Sequence, residues 1–218
     1  MHQKAALLLG ATGLTGSHVL QLLLDSEEYS TIYAYTRKPL GIQNPKLKEI
    51  IIDYETYEGS VEADTVFCCL GTTIKIAKTK EAFKKVDADY PVKIAQLQYN
   101  AGSKHFLVIS AMGAAADSLF FYSRVKAEME QLLSNIGFPR LQIFRPALIT
   151  GNRKEHRAGE KIAAAINQVL NYVLVGPFRK YQSVSALAIA KCMMYYANDT
   201  SIFGNVIVSS DRIKDFEE

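Results

Sequence analysis

Along this chain, short unbroken apolar runs alternate with stretches in which apolar residues return every three or four positions. Ala5 to Leu9 form one such run, as expected of a strand buried on both faces of a parallel sheet. It stops at Gly10, Gly13 and Gly16, then resumes with helical periodicity to Leu24. Further strands are predicted over Thr31–Thr36, Leu47–Ile52, Thr65–Leu70, Lys104–Ser110 and Leu141–Phe144, with Phe203–Val208 as a last edge strand. Between them, Asp89 is placed to cap a helix that carries Pro91 in its first turn, Val92, Ile94, Ala95 and Leu97 along it, and Gly102 just past its end. Other helices begin near Tyr122 and run over Ile162–Val175 and Val184–Ala197. This alternation predicts an α/β protein with a doubly wound, mostly parallel sheet of about seven strands. Residues 1–218 read as a single domain whose 147–200 stretch supplies the substrate-side helices and loops. Lys75–Lys85 frames the pocket, Gly151–Gly159 is a lid or a solvated loop, and Ser210–Glu218 reads as a frayed tail.

The first strand, glycine loop and helix make the first candidate site. Gly10 turns the chain at positive φ, Gly13 admits close approach of a ligand, and Gly16 lets the helix pack against the strand. With Thr12, Leu14 and Thr15 they place the helix N-terminus, with its unpaired N–H groups, where a pyrophosphate binds. The spacing is G-x-x-G-x-x-G rather than G-x-G-x-x-G, so its context after a buried strand carries the reading. The second strand ends at Arg37 and Lys38, where a unit that binds NAD usually carries an acid. A basic pair there suits the 2′-phosphate of NADP instead. Asp53, followed by Tyr54, either accepts a hydrogen bond from an adenine amino group or caps the next segment. The Gly71–Thr72–Thr73 turn ends the fourth strand and faces the ribose and nicotinamide half, because ligands of open parallel sheets lie beyond the strands' carboxyl ends.

Ser110 closes the fifth strand, and Tyr122 and Lys126 follow on the next helix, four apart and so on one face. The ammonium is expected to lower the phenol's pKa, so that Tyr122 exchanges a proton with a substrate oxygen that Ser110 polarises. Lys126 also reaches the nicotinamide ribose, and hydride transfer belongs to the cofactor. The spacing itself carries little in a chain with 12 tyrosines; its position after the fifth strand carries the argument.

Composition narrows the classes. The net charge of +3 is spread along the chain, which excludes a nucleic-acid stripe. Three cysteines, Cys68, Cys69 and Cys192, make an odd set without metal-ligand spacing, and four histidines are scattered, so no metal is expected. No secretory signal or membrane span is read, because Ala5–Leu9 is too short and Ile162–Val175 is interrupted by Asn167, Gln168 and Asn171. The expectation is a soluble cytoplasmic protein with reduced thiols, a monomer or homodimer, with a small-molecule substrate and room for a protein partner.

The glycine loop, Ser110 and Tyr122-x-x-x-Lys126 resemble the short-chain dehydrogenase/reductase superfamily. Cys68–Thr73, Val86–Tyr90, Lys104–Phe106, Phe144–Pro146 and Arg157–Glu160 resemble the HIV-Tat-interacting oxidoreductase branch of its atypical members. The resemblance runs from Leu7 to about Glu160 and implies a three-layer Rossmann fold. It also implies NADPH contacted by the glycine loop, Arg37, Lys38, the Leu70–Thr72 turn, Lys126 and the Pro146, Ala147, Leu148 loop after the sixth strand. Two positions depart from the pattern: Ala111 stands where relatives often place a second serine, and Asp87 is the nearest match to the asparagine of a proton relay. The expected activity is NADPH-dependent reduction or oxidation of a small carbonyl or alcohol at Ser110, Tyr122 and Lys126. The alternative is a non-catalytic NADPH-binding regulator or scaffold. A sugar-nucleotide epimerase is disfavoured by the short C-terminal part.

Overall fold

The structure is a computed structural model, and it describes residues 3–151 and 181–217. The expected Ile162–Val175 helix, the basic loop from residue 152 onward and the Arg157–Glu160 motif lie outside the described residues.

Seven parallel strands form the central sheet: β1 (Lys4–Leu9), β2 (Tyr29–Thr36), β3 (Leu47–Ile51), β4 (Thr65–Cys68), β5 (His105–Ile109), β6 (Arg140–Arg145) and β9 (Gly204–Ser209). A separate parallel pair, β7 (Ile149–Thr150) and β8 (Val184–Ser185), links Ile149 to Val184. The sheet order is β3-β2-β1-β4-β5-β6-β9, so the direction of winding reverses between β1 and β4. A crevice at such a reversal is where ligands of this architecture bind.

The unbroken apolar run of β1 is explained by the two layers it separates. Ala6 and Leu8 face a core with Val19, Leu20 and Leu23 of α1 (Leu14–Asp25) and Ile189 and Met193 of the helix Ala186–Asn198. Leu7 and Leu9 face the opposite core, with Phe83, Ile94 of α4 (Tyr90–Asn100), and Val125 and Met129 of α5 (Phe121–Ile136). Each face therefore buries alternate residues of one strand, which removes any polar position from it.

Several local expectations are corrected. The Lys75–Lys85 passage holds two short helices, α2 (Ile74–Ala77) and α3 (Lys80–Lys84), whose first turns are capped by the Thr73 and Thr79 hydroxyls. Asp89 caps nothing: its backbone is helical (φ −67°, ψ −44°), because a π-helical turn, Lys85–Asp89, joins α3 to α4. Burial of Phe83 and Ala88 holds that run against the sheet. The tail is ordered as a helix, Ser210–Lys214: Ile213 enters the core, and the Ser210 hydroxyl accepts a hydrogen bond from the Ala147 amide at 3.0 Å.

Candidate active site

Four turns at the carboxyl ends of β1, β4, β5 and β6 surround the crevice. The first is the glycine loop. Gly10 has φ +81°, and a Cβ built on it lies 2.6 Å from the Cys69 carbonyl oxygen; one built on Gly16 lies 2.0 Å from the carbonyl oxygen of Gly10. The loop thus closes only with hydrogens at both places. Gly13 caps α1 without any side-chain hydrogen bond, and its amide donates back to Gly10 O at 2.9 Å. The first amides of α1 stay unpaired by helix geometry, and Thr12 and Gly13 are exposed beside them while Leu14 is half-buried and Thr15 buried.

Beyond β2, Arg37 and Lys38 are both exposed, and among the described residues neither forms an ion pair. Thr36, immediately before them, is buried, and its hydroxyl oxygen has no partner. Asp53 is exposed and accepts a hydrogen bond from the Glu55 amide at 2.9 Å, so its local turn role is realised. Tyr54 is buried, stacks on Tyr90 with ring centroids 5.5 Å apart, and donates to the Tyr35 carbonyl.

The Leu70–Thr72 turn, after β4, is joined to α5 through a buried ion pair. Lys126 Nζ lies 2.8 Å from Asp87 Oδ1, both side chains being almost fully enclosed, and 3.5 Å from the Ile109 carbonyl oxygen at the end of β5. The second carboxylate oxygen of Asp87 accepts a hydrogen bond from the Thr72 amide at 2.8 Å. Breaking a buried pair of this kind by removing one partner costs about 3–5 kcal/mol, because the remaining charge is left in a medium that cannot solvate it.

Tyr122 lies one turn before Lys126 on α5, 39 % exposed, with its ring 5.7 Å from that of Phe83. The expected lowering of its pKa does not occur. Desolvation raises it most, Lys126 lowers it and Asp87 raises it again, so the net direction is upward. The physical reason is first the partial burial of the phenol, which outweighs the pull of the ammonium, and then the Asp87 carboxylate, which opposes that pull.

Ser110 is likewise placed differently from expectation. It is buried, and its hydroxyl donates to Glu130 Oε1 at 2.5 Å, with Glu130 gripped by Arg145 through Nε at 3.0 Å and a terminal nitrogen at 2.5 Å. Its proton is therefore committed to a carboxylate, and only a lone pair is left for a substrate. Glu130 and Arg145 were not among the expected site residues. The signal was present in α5 all the same: Tyr122, Lys126 and Glu130 recur every four residues, and a charged position inside the stripe that also carries Val125, Met129 and Leu133 requires buried partners.

On the fourth side, Pro146 is buried, Ala147 is half-buried and Leu148 is exposed, with the Pro146 carbonyl accepting from Met112 N at 3.0 Å. Cys68 lies within the core, where burial pushes its thiol up to about 12, which excludes a thiolate nucleophile at neutral pH. Among the described residues no group of three metal-ligating side chains occurs, and no helix is long and apolar enough to cross a membrane.

Comparison with known proteins adds to this geometry. Residues 10–182 match the family model described as NAD(P)H-binding. Protein HTATIP2 of Rattus norvegicus is 35% identical over 170 residues, covering 75% of this chain and 70% of the relative. Protein FMP52, mitochondrial, of Candida albicans is 33% identical over 168 residues, covering 73% of each. Among solved structures, MoeE5 in complex with UDP-glucuronic acid and NAD superposes with a TM-score of 0.69 at 17% identity, covering 94% of this chain and 76% of that one. Human epimerase family protein SDR39U1 with NADPH superposes with a TM-score of 0.60 at 16% identity, covering 95% and 77%. The expectation of a cytoplasmic protein is corrected by these relatives: FMP52 proteins of several fungi, Debaryomyces hansenii and Candida albicans among them, are named mitochondrial.

Proposed function

We propose that this chain, which belongs to the NAD(P)H-binding family and, as an atypical short-chain dehydrogenase/reductase, to its HTATIP2 branch, is an NADPH-dependent reductase of small carbonyl compounds. The observation that carries the reading is the junction of Lys126, Asp87 and Thr72, which sets a buried ammonium at the carboxyl ends of β4 and β5, beside the crevice, with Tyr122 one helical turn away.

Two features fit a dinucleotide. The glycine loop leaves no room for a Cβ at Gly10 or Gly16 and presents the open end of α1, and the unpartnered Thr36 hydroxyl lies at the end of β2. In this reading Gly10, Thr12, Gly13, Leu14, Thr15 and Gly16 hold the diphosphate, while Asp53 and Tyr54 border the adenine. Leu70, Gly71, Thr72, Pro146, Ala147 and Leu148 border the nicotinamide half. Arg37 and Lys38, exposed and without a carboxylate partner among the described residues, favour a 2′-phosphate. The bound cofactor supplies the hydride.

The chain's own residues then perform the proton chemistry. Tyr122, whose phenol is held above its ordinary pKa, remains protonated at neutral pH and donates to the substrate oxygen. That state suits reduction of a carbonyl better than oxidation of an alcohol. Lys126 has three N–H donors, of which Asp87 and the Ile109 carbonyl take two, and the third is free for a ribose hydroxyl. Ser110 contributes a lone pair and not a proton.

Incubation of the purified chain with NADPH and a panel of small aldehydes and ketones tests the reading. Loss of absorbance at the reduced-nicotinamide band in the wild type, absent in Tyr122→Phe, is the expected result. The commitment of Ser110 to Glu130 favours one second reading, a nucleotide-binding regulator without turnover. NADPH binding with no oxidation of the cofactor by any panel member would select it.

A further inference from the structure

Asp87 stands between two parts of the site that come from distant stretches of chain. We propose that Asp87 is a positioning residue that ties the Leu70–Thr72 turn to the Lys126 ammonium, so that seating a pyridine nucleotide on the turn and orienting the ammonium become one event. The proposal rests on the cofactor reading above and goes beyond it by giving the carboxylate a task.

Three observations carry it. First, the two oxygens of a side chain only 1% exposed are divided between two elements: Oδ1 meets Lys126 Nζ at 2.8 Å, and Oδ2 accepts from the Thr72 amide at 2.8 Å. Second, the turn passes within contact of that carboxylate, since a Cβ built on Gly71 lies 3.6 Å from Asp87 Oδ1. A movement of the turn therefore moves the group that holds the ammonium. Third, Asp87 lies in the π-helical turn Lys85–Asp89, which buries Asp87 and Ala88 and leaves Lys85 and Asp89 exposed. Such turns interrupt regular helical bonding and concentrate at functional sites.

The choice of a carboxylate follows from electrostatics. An amide at position 87 still accepts from the Thr72 N–H, but it offers no countercharge to an ammonium that has almost no solvent. Asp87→Asn therefore keeps the shape of the clamp and removes only its hold on Lys126. If Asp87 merely stabilises the fold, the folded fraction of this variant binds nucleotide as the wild type does.

Calorimetric titration of NADPH into the wild type, Asp87→Asn, Lys126→Met and the double variant distinguishes the two, with hydrogen exchange of the Thr72 amide followed in the nucleotide-free protein. Asp87→Asn is expected to weaken NADPH binding by about tenfold or more, and by less than about twofold when Lys126 is already Met, because a positioning residue acts through the group it positions. Lys126→Met is expected to speed exchange at Thr72 by about tenfold, since the carboxylate that accepts this amide loses its second anchor. Unchanged affinity with only a lower Tm in Asp87→Asn, or losses that multiply in the double variant, would overturn the proposal. Should the wild type bind neither pyridine nucleotide, the cofactor reading fails. Exchange at Thr72 then decides the clamp alone, and a rate unaffected by Lys126→Met sinks it.

Discussion

At the carboxyl ends of the strands, buried polar side chains are joined chiefly to each other beside the crevice, whereas at the amino ends polar side chains, some buried and some exposed, are mostly bonded to the protein's own backbone. The carboxyl end holds Asp87 with Lys126 and Ser110 with Glu130 and Arg145, groups drawn from α5, the π-helical turn and strand ends. At the amino end, Asp64 accepts from the Ala5 amide at 2.7 Å, the Ser103 hydroxyl donates to Ala63 O at 2.6 Å, and Arg140 donates to the carbonyls of Ile202, Tyr196 and Asp199. These bonds tie loops to strands and leave little for a ligand. The same residue types thus serve closure at one end of the sheet and chemistry at the other, and what separates them is whether the backbone has consumed their hydrogen-bonding capacity.

The contrast is most severely tested at the glycine loop. Gly16→Ala places a methyl group against the Gly10 carbonyl backbone, which cannot yield as a flexible side chain would, so loss of NADPH binding and a marked fall in Tm are expected together. A variant with wild-type affinity would show that the loop is no cradle. Next in size is Tyr122→Phe, expected to lower kcat by about 10²–10⁴ while the dissociation constant for NADPH stays within about twofold, because the phenol acts on substrate and not on cofactor. An equal loss in binding would place Tyr122 in the wrong half of the crevice.

Replacing Arg37 and Lys38 together by Ala is expected to weaken NADPH by about tenfold to a hundredfold and NADH hardly at all, the size of one or two charge-assisted phosphate contacts. Parallel losses for both nucleotides would remove the basis for a 2′-phosphate site.

The smallest effect belongs to the amino end. His105 is buried beside Gln142, its Nδ1 has no partner, and burial lowers its pKa to about 3. Unfolded, it titrates near 6.5, so as pH falls below that value the unfolded chain takes up a proton that the folded one refuses. Stability therefore drops by about 2 kcal/mol between pH 7 and pH 5. Urea unfolding at the two pH values measures it, and His105→Gln should flatten the dependence. If the variant keeps the full slope, other groups at this end hold the titratable capacity.

The parts of the molecule legible in the sequence are those whose cause is local. The β1 run, the glycine spacing and the placement of Tyr122 and Lys126 on one helix follow from period and chain geometry, which act over a few residues. The short helices α2 and α3 escaped notice because two threonine caps outweighed the weak periodicity of a lysine-rich passage. Ser210–Lys214 escaped it because one buried residue, Ile213, is too little pattern to read as a helix. Glu130 and Arg145 stood outside the expected site because their partners lie 15 and 20 positions from Glu130 along the chain.

By itself, then, the order of residues determined the parallel sheet, the glycine loop and the helix that carries the phenol and the ammonium, since each is written in a repeat no longer than a few turns. Tertiary structure alone decided that the ammonium would be neutralised by Asp87, that the phenol would be held above its ordinary pKa, and that the Ser110 hydroxyl would donate its hydrogen bond to Glu130. The reason is that charge acts through space at a few ångströms, and which charges come that close depends on how distant segments pack.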